Sequence, residues 1–343
     1  MKKKKRARIQ DVAELAGVSN MTVSRVVNGG VKVSDEKRKA VLSAMKSLYY
    51  QPNSAARRLA GSKSYILGLL FQDEDISYIS KFLLRASKSC RNFGHHLIPD
   101  GINSNNEESI SVVKNLIETT QTDGVILLAP ISNNTKIIEL LQQLQVPFVR
   151  ISPDDKSDIS PYIAIDEFMA GYTMTKYLID LGHSKIGHIQ GHPNQVASDL
   201  RQQGFLKAMS ESSLDVPSEY IVQGYYTYKS GLNAAQDLLA LENKPTAIFA
   251  ANDEMAAATV SVANGLGIKI PKQLSVAGID DAQLAITISP HLTTIRQPIE
   301  EIAELAVQIL ASNKPVTGDS KELKHSHIFD IELIKRESTI RPE

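Results

Sequence analysis

The chain of 343 residues has one cysteine, Cys90. An intramolecular disulfide is therefore excluded, which fits a reducing cytoplasm. A lone thiol in a helical pattern reads as packing more readily than as a redox sensor. Long apolar runs are missing as well: stretches such as Tyr65–Phe71 are far too short to span a membrane. The opening MKKKKRAR has the charge of an export signal, but no apolar segment completes it, because Gln10, Asp11 and Glu14 interrupt the adjoining residues. There is no P-loop, no GxSxG and no Cys/His pattern for nucleophilic catalysis. His95-His96 and His325/His327 lack convergent partners at metal-ligand spacing. No metal, no cofactor, no catalytic residue and no enzymatic activity are expected. Beyond the lysine run there is no repeat or low-complexity tract. No apolar heptads precede Glu343, so the expectation is a homodimer rather than a coiled-coil tetramer.

Net charge is also absent, but only in the sum. Residues 1–62 hold 14 Lys/Arg against 4 Asp/Glu, and the rest of the chain holds 24 against 34. A basic end on an acidic body is the pattern of a nucleic-acid-binding head on a soluble carrier. Within the basic end, Ile9 to Asn28 reads as two short helices and a tight turn. Val12, Ala13 and Ala16 share a face of the first; Val23, Val26 and Val27 line the inner face of the second. Gly17 supplies a turn residue without Cβ strain, and Ser19 can cap the second helix. Outward from that helix point Asn20, Met21, Thr22, Ser24, Arg25 and Asn28, mostly side chains able to bond phosphates or base edges. A helical hairpin with a merely solvated face competes with this reading until residues 29–62 are added.

Gly29-Gly30 ends the second helix. Ser34 reads as the N-cap of a third, with Asp35 and Glu36 in its first turn; Val41, Met45 and Leu48 carry it to about Leu48. After Pro52, Asn53–Ala60 suits a short helix too small to be stable alone, ended by Gly61. Leu59 is apolar on a basic, small-residue segment. It either anchors the linker on the body or wedges between base pairs in a minor groove. AELAGVS, TVSRVVN, PNSAARRLAGS and the GLL strand together resemble the LacI/GalR family of bacterial transcription regulators, through to RESTIRPE at the end of the chain. The resemblance implies base reading by Asn20, Met21 and Arg25, backbone contacts by Ser19, Thr22, Ser24, Asn28 and Asn53, and minor-groove hinge contacts by Ala56 and Leu59. Arg8 departs from the pattern, standing where many members have a capping Ser or Thr.

From Ser64 the pattern alternates short apolar strands with helices of about 10–15 residues, as in parallel sheets covered on both faces. Strands are predicted at Tyr65–Phe71, Leu97–Pro99, Gly124–Ala129, Phe148–Ser152, Ile163–Asp166, Ile186–Gln190, Tyr220–Val222, Ala247–Ala250 and Leu274–Ile279. A late strand, Leu292–Arg296, and helix Glu300–Leu310 are expected to cross back to the first half. The whole is thus a small all-α helix-turn-helix head (1–51) and hinge (52–62) joined to an α/β effector and dimerisation domain (63–343). The resemblance makes that domain periplasmic-binding-protein-like and doubly wound, with one subdomain at about 63–165 and 296–327 and the other at about 166–293 and 328–343.

Ligands of such sheets lie beyond the carboxyl ends of strands. Gln72-Asp73, Asp166, Gly191-His192, Asn252-Asp253 and Asp280-Asp281 follow strands. Each alone is more often a turn residue or a helix cap; their recurrence suits a ligand rich in hydroxyls. The resemblance assigns effector binding to Arg201, Asn252 and Asp280. The first strand's loop adds Asp73 and Tyr78, although FQDEDISYIS departs there from the family's usual Asn-Pro-Phe. Tyr78 stacks on a sugar face or simply packs. The expected protein is a cytoplasmic, nucleoid-associated repressor of carbohydrate-utilisation genes. Its expected partners are double-stranded, pseudo-palindromic operator DNA, a small-molecule effector (a sugar inducer) and its own twin, with no membrane. A purine- or nucleoside-responsive repressor with the ligand as corepressor is an alternative. A sugar-binding transport receptor is disfavoured by the basic head and the missing export signal; a hydrolase is disfavoured for want of a nucleophile and base.

Overall fold

The computed structural model describes residues 7–27, 33–48, 50, 63–72, 76–103, 108–312 and 326–342. They form two compact units, Met1–Tyr65 and Ile66–Glu343.

The first unit holds α1 (Ile9–Ala16), α2 (Asn20–Val27) and α3 (Asp35–Ser47) around Val12, Ala13, Val23, Val26, Val41 and Ala44, all buried. Gly17 ends α1 at φ +63°, the left-handed region that a Cβ disfavours. The following Val18 N–H reaches back to the Ala13 carbonyl at 3.0 Å. The Ser19 hydroxyl accepts the Thr22 N–H at 3.3 Å, the cap expected of it. At α1 the loss of a Ser/Thr cap is partly offset, because the Arg8 N–H donates to the Asp11 carboxylate at 2.7 Å. Ser34 is a correction: it precedes α3 in extended backbone, but its side chain makes no capping bond. The charges of Asp35 and Glu36 are left to favour that end. Gly29-Gly30, Asn28 and the linker with Asn53, Ala56 and Leu59 lie outside the described residues.

The second unit is two lobes of one design. The first sheet runs β11-β5-β4-β3-β1-β2, with β1 Ile66–Phe71, β2 His96–Gly101, β3 Gly124–Leu127, β4 Phe148–Ile151, β5 Tyr162–Ile165 and β11 Ser326–Phe329, every pair parallel. The second runs β12-β10-β9-β8-β6-β7, with β6 Ile186–Ile189, β7 Ile221–Val222, β8 Ala247–Ala250, β9 Ser275–Asp280, β10 Thr293–Arg296 and β12 Glu332–Ile334. Only β12 is antiparallel to its neighbour among these pairs. Helices α4 (Ile76–Asn92), α5 (Glu108–Thr120), α6 (Thr135–Gln143) and α11 (Ile299–Ala311) serve the first lobe; α7 (Glu167–Asp180), α8 (Val196–Glu211), α9 (Tyr228–Ala240) and α10 (Asp253–Gly265) serve the second. Central strands are buried on both faces, as Leu67, Ile126, Ile248 and Ile279 show. Each such side chain contributes about 1.5–3 kcal/mol of burial.

Three corrections concern the later strands. Thr293–Arg296 does not cross back: it pairs with β9 in the second sheet, and only α11 returns to the first lobe. Tyr220 belongs to a 3-10 turn, Ser218–Tyr220, not to β7. Strands β11 and β12 had no forecast. They are edge strands whose burial does not alternate cleanly, so the period-2 signal is missing. The chain thus passes between lobes three times: after β5, after β10, and between β11 and β12. The last residues seal the second sheet. Ser338 is wholly buried; its hydroxyl accepts the Thr293 N–H at 2.8 Å, and its carbonyl accepts the Val276 N–H at 2.9 Å.

His188 on β6 is wholly buried, its ring stacked on Phe205 and Phe249 at 5.1 and 4.9 Å. The Phe249 carbonyl lies 3.0 Å from Nδ1, so that nitrogen carries the proton and donates. Burial, and next to it the Arg201 charge, push the histidine down to about 4 despite that bond. Because the folded value is below the ordinary 6.5, the unfolded chain binds the proton first as pH falls. Stability is therefore full above pH 6.5 and is lost toward pH 4, by up to about 3 kcal/mol from this group. His183, also lowered by burial, adds in the same direction. Melting curves between pH 7 and about 5, where few ordinary carboxylates titrate, are expected to show this fall and His188→Gln a shallower one. A flat wild-type profile would exclude it.

Candidate functional sites

In the second unit the carboxyl ends of β1, β3 and β4 face those of β9 and its neighbours across a cleft. The first lobe contributes Gln72, Tyr78, Leu128 and Ser152 to its lining; the second contributes Glu167, Gln195, Arg201, Tyr226 and Asp280; Gln297 stands on a crossing. The space between these side chains is about 80 Å³ and is open on one side to solvent. Among the described residues the lobes are bridged by Ser77 donating to Glu254, by the Lys81 ammonium to the Asp281 carbonyl at 3.5 Å, and by the Val196 N–H to the Asp154 carboxylate at 3.3 Å.

Arg201 is the centre of the cleft's polar side. Mid-helix glycines put it there. A Cβ on Gly171 would overlap the Arg201 carbonyl oxygen, and one on Gly204 the Phe168 carbonyl oxygen. Helices α7 and α8 therefore touch backbone to backbone, and the first turn of α7 meets the Arg201 side chain. Its Nε donates to the Glu167 carboxylate at 2.7 Å and its Nη1 to the Ala251 carbonyl; the guanidinium carbon lies 5.7 Å from the centre of the Tyr226 ring. Burial opposes the charge, but Glu167, Tyr226 and Asp280 outweigh it and hold the guanidinium above its ordinary value.

Asp280 ends β9 at φ +125° and is 2% exposed; its carboxylate accepts from the Gln297 amide at 2.6 Å. Ser152 and Tyr226, also in the lining, have φ +47° and +61°. Non-glycine residues in this region cost about 1–3 kcal/mol each and persist where surroundings enforce them. Those surroundings are visible at Asp280-Asp281. Asp253, wholly buried, accepts from Ala282 N–H at 2.8 Å and the Thr294 hydroxyl at 2.7 Å, while Arg296 and Arg336 both grip Asp281.

Of the forecast effector residues, the cleft brings together Tyr78, Arg201 and Asp280. Asn252 is not in its lining. It caps α10, accepting the Met255 N–H at 3.0 Å and donating to the Tyr226 carbonyl at 2.9 Å, and so supports the wall from behind. Asp73 lies outside the described residues. Asp166 turns to cap α7 at the Met169 N–H, 2.9 Å away, and His192 packs edge-on against Tyr225. Glu167 was missed by the sequence reading although it is Arg201's partner. Cys90 is buried, and burial raises its thiol to about 12, which leaves it unreactive. No group of three His, Cys, Asp or Glu among the described residues is placed to hold a metal.

In the first unit, the outer face of α2 presents Ser19, Asn20, Met21 and Arg25 exposed, with Thr22 and Ser24 partly so. Met21 is 64% exposed, an apolar side chain that the head itself does not use. The face lies about half a helical turn round from the core, since Val23 and Val26 point the other way.

A helix-turn-helix head and a two-lobed α/β body with a polar cleft define a ligand-responsive DNA-binding regulator. Residues 8–53 match the description "bacterial regulatory proteins, lacI family", and residues 175–339 match a periplasmic binding protein-like domain. The chain is 33% identical to the HTH-type transcriptional repressor PurR of Klebsiella pneumoniae (strain 342) over 305 residues, 89% of each chain. It is 33% identical to catabolite control protein A of Priestia megaterium over 316 residues, 91% of this chain and 94% of that one. The lac repressor dimer bound to operator and the anti-inducer ONPF superposes with a TM-score of 0.74 at 26% identity, over 98% of this chain and 100% of the other. A complex of the transcriptional regulator CelR with cellobiose gives 0.69 at 27%, over 97% and 100%. The chain belongs to the lacI family of bacterial regulatory proteins, and it is a DNA-binding transcriptional regulator. These relatives are regulators rather than enzymes, and no described helix is long and apolar enough to cross a membrane.

Proposed function

We propose that this protein is a homodimeric repressor released from a pseudo-palindromic operator by a sugar. The observation that carries the ligand class is the cleft: a buried guanidinium and a buried carboxylate, Arg201 and Asp280, opposite Tyr78 and the apolar Leu128. Fixed donors and acceptors facing an apolar wall suit the hydroxyl edge and the C–H face of a pyranose. The similarity to a regulator complexed with cellobiose and to an operator-bound dimer supports the same reading. The working division is a head to residue 51, a hinge over 52–62 and an effector and dimerisation body from 63, in a cytoplasmic, nucleoid-associated protein without catalytic activity. Ser19, Thr22, Ser24, Asn28 and Asn53 would hold the DNA backbone, Ala56 and Leu59 the minor groove, and Asp73 would complete the ligand shell, with Asn252 supporting its wall from behind. The test is retardation of labelled operator by the full-length protein, reversed by a sugar. A ligand that strengthens retardation would make it a corepressor and overturn the inducer sign.

Base discrimination falls to Asn20, Met21 and Arg25. A guanidinium can bond guanine O6 and N7 together. Arg25→Ala is expected to cost about 1–3 kcal/mol on the cognate operator and to relax preference at one base pair per half-site. Titration against a set of single-pair operator variants measures this, and an equal loss on every variant would reduce Arg25 to a phosphate contact.

A further inference from the structure

We propose that the cleft selects its ligand by charge: it takes uncharged or amine-bearing sugars and rejects sugar phosphates and sugar acids, with Glu167 as the residue that sets this rule. The inference rests on the sugar reading above and narrows it. An arginine at the centre of a ligand cleft ordinarily invites an anion, because its planar fork grips carboxylate or phosphate with two parallel bonds. Here each of the two donor edges of the Arg201 guanidinium has one member committed within the protein. Nε is bound to Glu167 at 2.7 Å and Nη1 to the Ala251 carbonyl. The charge is neutralised at the same contact, at 5% and 7% side-chain exposure. The third acidic or basic residue of the lining is Asp280, also buried, so the described lining carries two carboxylates against one guanidinium.

Helix amino termini are the other common source of anion affinity. Three described helices begin at the lining: α8 and α7 are already answered by carboxylates, and α4, which brings Tyr78 and Ile79, follows Asp73, Glu74 and Asp75 in the sequence. The start of α8 donates its Val196 N–H to Asp154, and the start of α7 is capped by Asp166 and carries Glu167 in its first turn. An entering phosphate would meet Asp280 and Glu167 at short range in a site of low dielectric, and neither edge of Arg201 offers it a full donor pair. A hydroxyl group needs only single bonds, which Arg201, the Gln72, Gln195 and Gln297 amides and the Asp280 carboxylate can supply.

The experiment uses the full-length protein and matched ligand pairs: glucose with glucose 6-phosphate, galactose with galacturonate, glucose with glucosamine, and cellobiose with cellobionate, plus hypoxanthine as an uncharged non-sugar. Affinity is read by calorimetry and by the shift in melting temperature. For any sugar that binds, its anionic twin is expected to bind at least about 100-fold more weakly, and its amine-bearing twin within about tenfold. Glu167→Gln keeps the shape and one bond to Nε while removing the charge. It is expected to bring the anionic twin at least about tenfold closer to the neutral one. Asp280→Asn is expected to act the same way should Glu167→Gln be poorly folded. An anionic sugar binding the wild type as tightly as its neutral twin overturns the charge rule, and an unchanged ratio in both variants removes Glu167 and Asp280 as its origin. Binding of hypoxanthine but of no sugar overturns the sugar reading and, with it, the charge rule that rests on it. A set in which nothing binds overturns both.

Discussion

Arg201→Ala is expected to be the most damaging single change in the cleft, and to act in two separable ways. Arg201 and Glu167 are both nearly inaccessible and hydrogen-bonded at 2.7 Å. Removing one partner leaves the other charged and buried, which costs about 3–5 kcal/mol. At roughly 2–4 °C per kcal/mol for a body of this size, the melting point should fall by about 10 °C. Replacing both residues, Glu167→Met with Arg201→Met, removes the stranded charge and should recover most of the loss, because a buried ion pair is worth little against apolar groups of similar volume. Ligand response should not recover in either variant. The head does not contain Arg201, so operator retardation is expected to persist at temperatures where the body is folded. Full recovery of ligand release in the double variant would show that the pair is scaffolding alone. Linkage adds a quantitative check in the wild type: if ligand weakens operator binding by a factor, operator must weaken ligand binding by the same factor.

Gly171→Ala is expected to be nearly as severe, through geometry rather than charge. The added methyl would occupy the position of the Arg201 carbonyl oxygen, and a backbone atom inside a helix cannot swing aside as a side chain can. Overpacking ordinarily costs about 1–3 kcal/mol; with two backbones in contact, about 3 kcal/mol or more is expected. The separation of α7 from α8 also lengthens the Glu167–Arg201 contact, so ligand affinity should drop before the protein melts. Gly204→Ala strikes the same contact from the other helix, at the Phe168 carbonyl. The two losses should therefore be less than additive. A Gly171→Ala protein with unchanged melting point and ligand affinity would contradict the close approach of the helices.

Most of the layers were legible in the sequence because the strands are short apolar runs bounded by turns, and because the head's Val and Ala spacing allows one helical phase. Arg201 could be placed in the cleft from its resemblance, and Asp280 from its position after a strand. The partner of Arg201 could not. Asp166 and Glu167 both follow β5, and which carboxylate faces the cleft depends on where α7 begins; the cap falls to Asp166, which turns Glu167 inward. A signal was available in the glycines. Gly171 and Gly204 sit inside helices at about 1 kcal/mol each, and such residues mark close backbone approach. Gly171 is one turn from Glu167, and Gly204 about one turn from Arg201. Asn252 misled for the opposite reason: an amide after a strand is equally a helix cap, and here its bonds go to the cap and to Tyr226.

The three passages between the lobes also bear on how the chain comes off the ribosome. The first lobe needs α11 and β11, which are encoded after almost all of the second lobe. The second needs β12 and Ser338, which are translated after β11. The first lobe must therefore wait with β5 as an exposed edge for the translation of about 160 further residues. At about 5–20 residues per second that wait is on the order of ten to thirty seconds. The head, finished first and contiguous, has no such delay. A nascent chain truncated before residue 326 should accordingly carry a folded head on a body still open to chaperones.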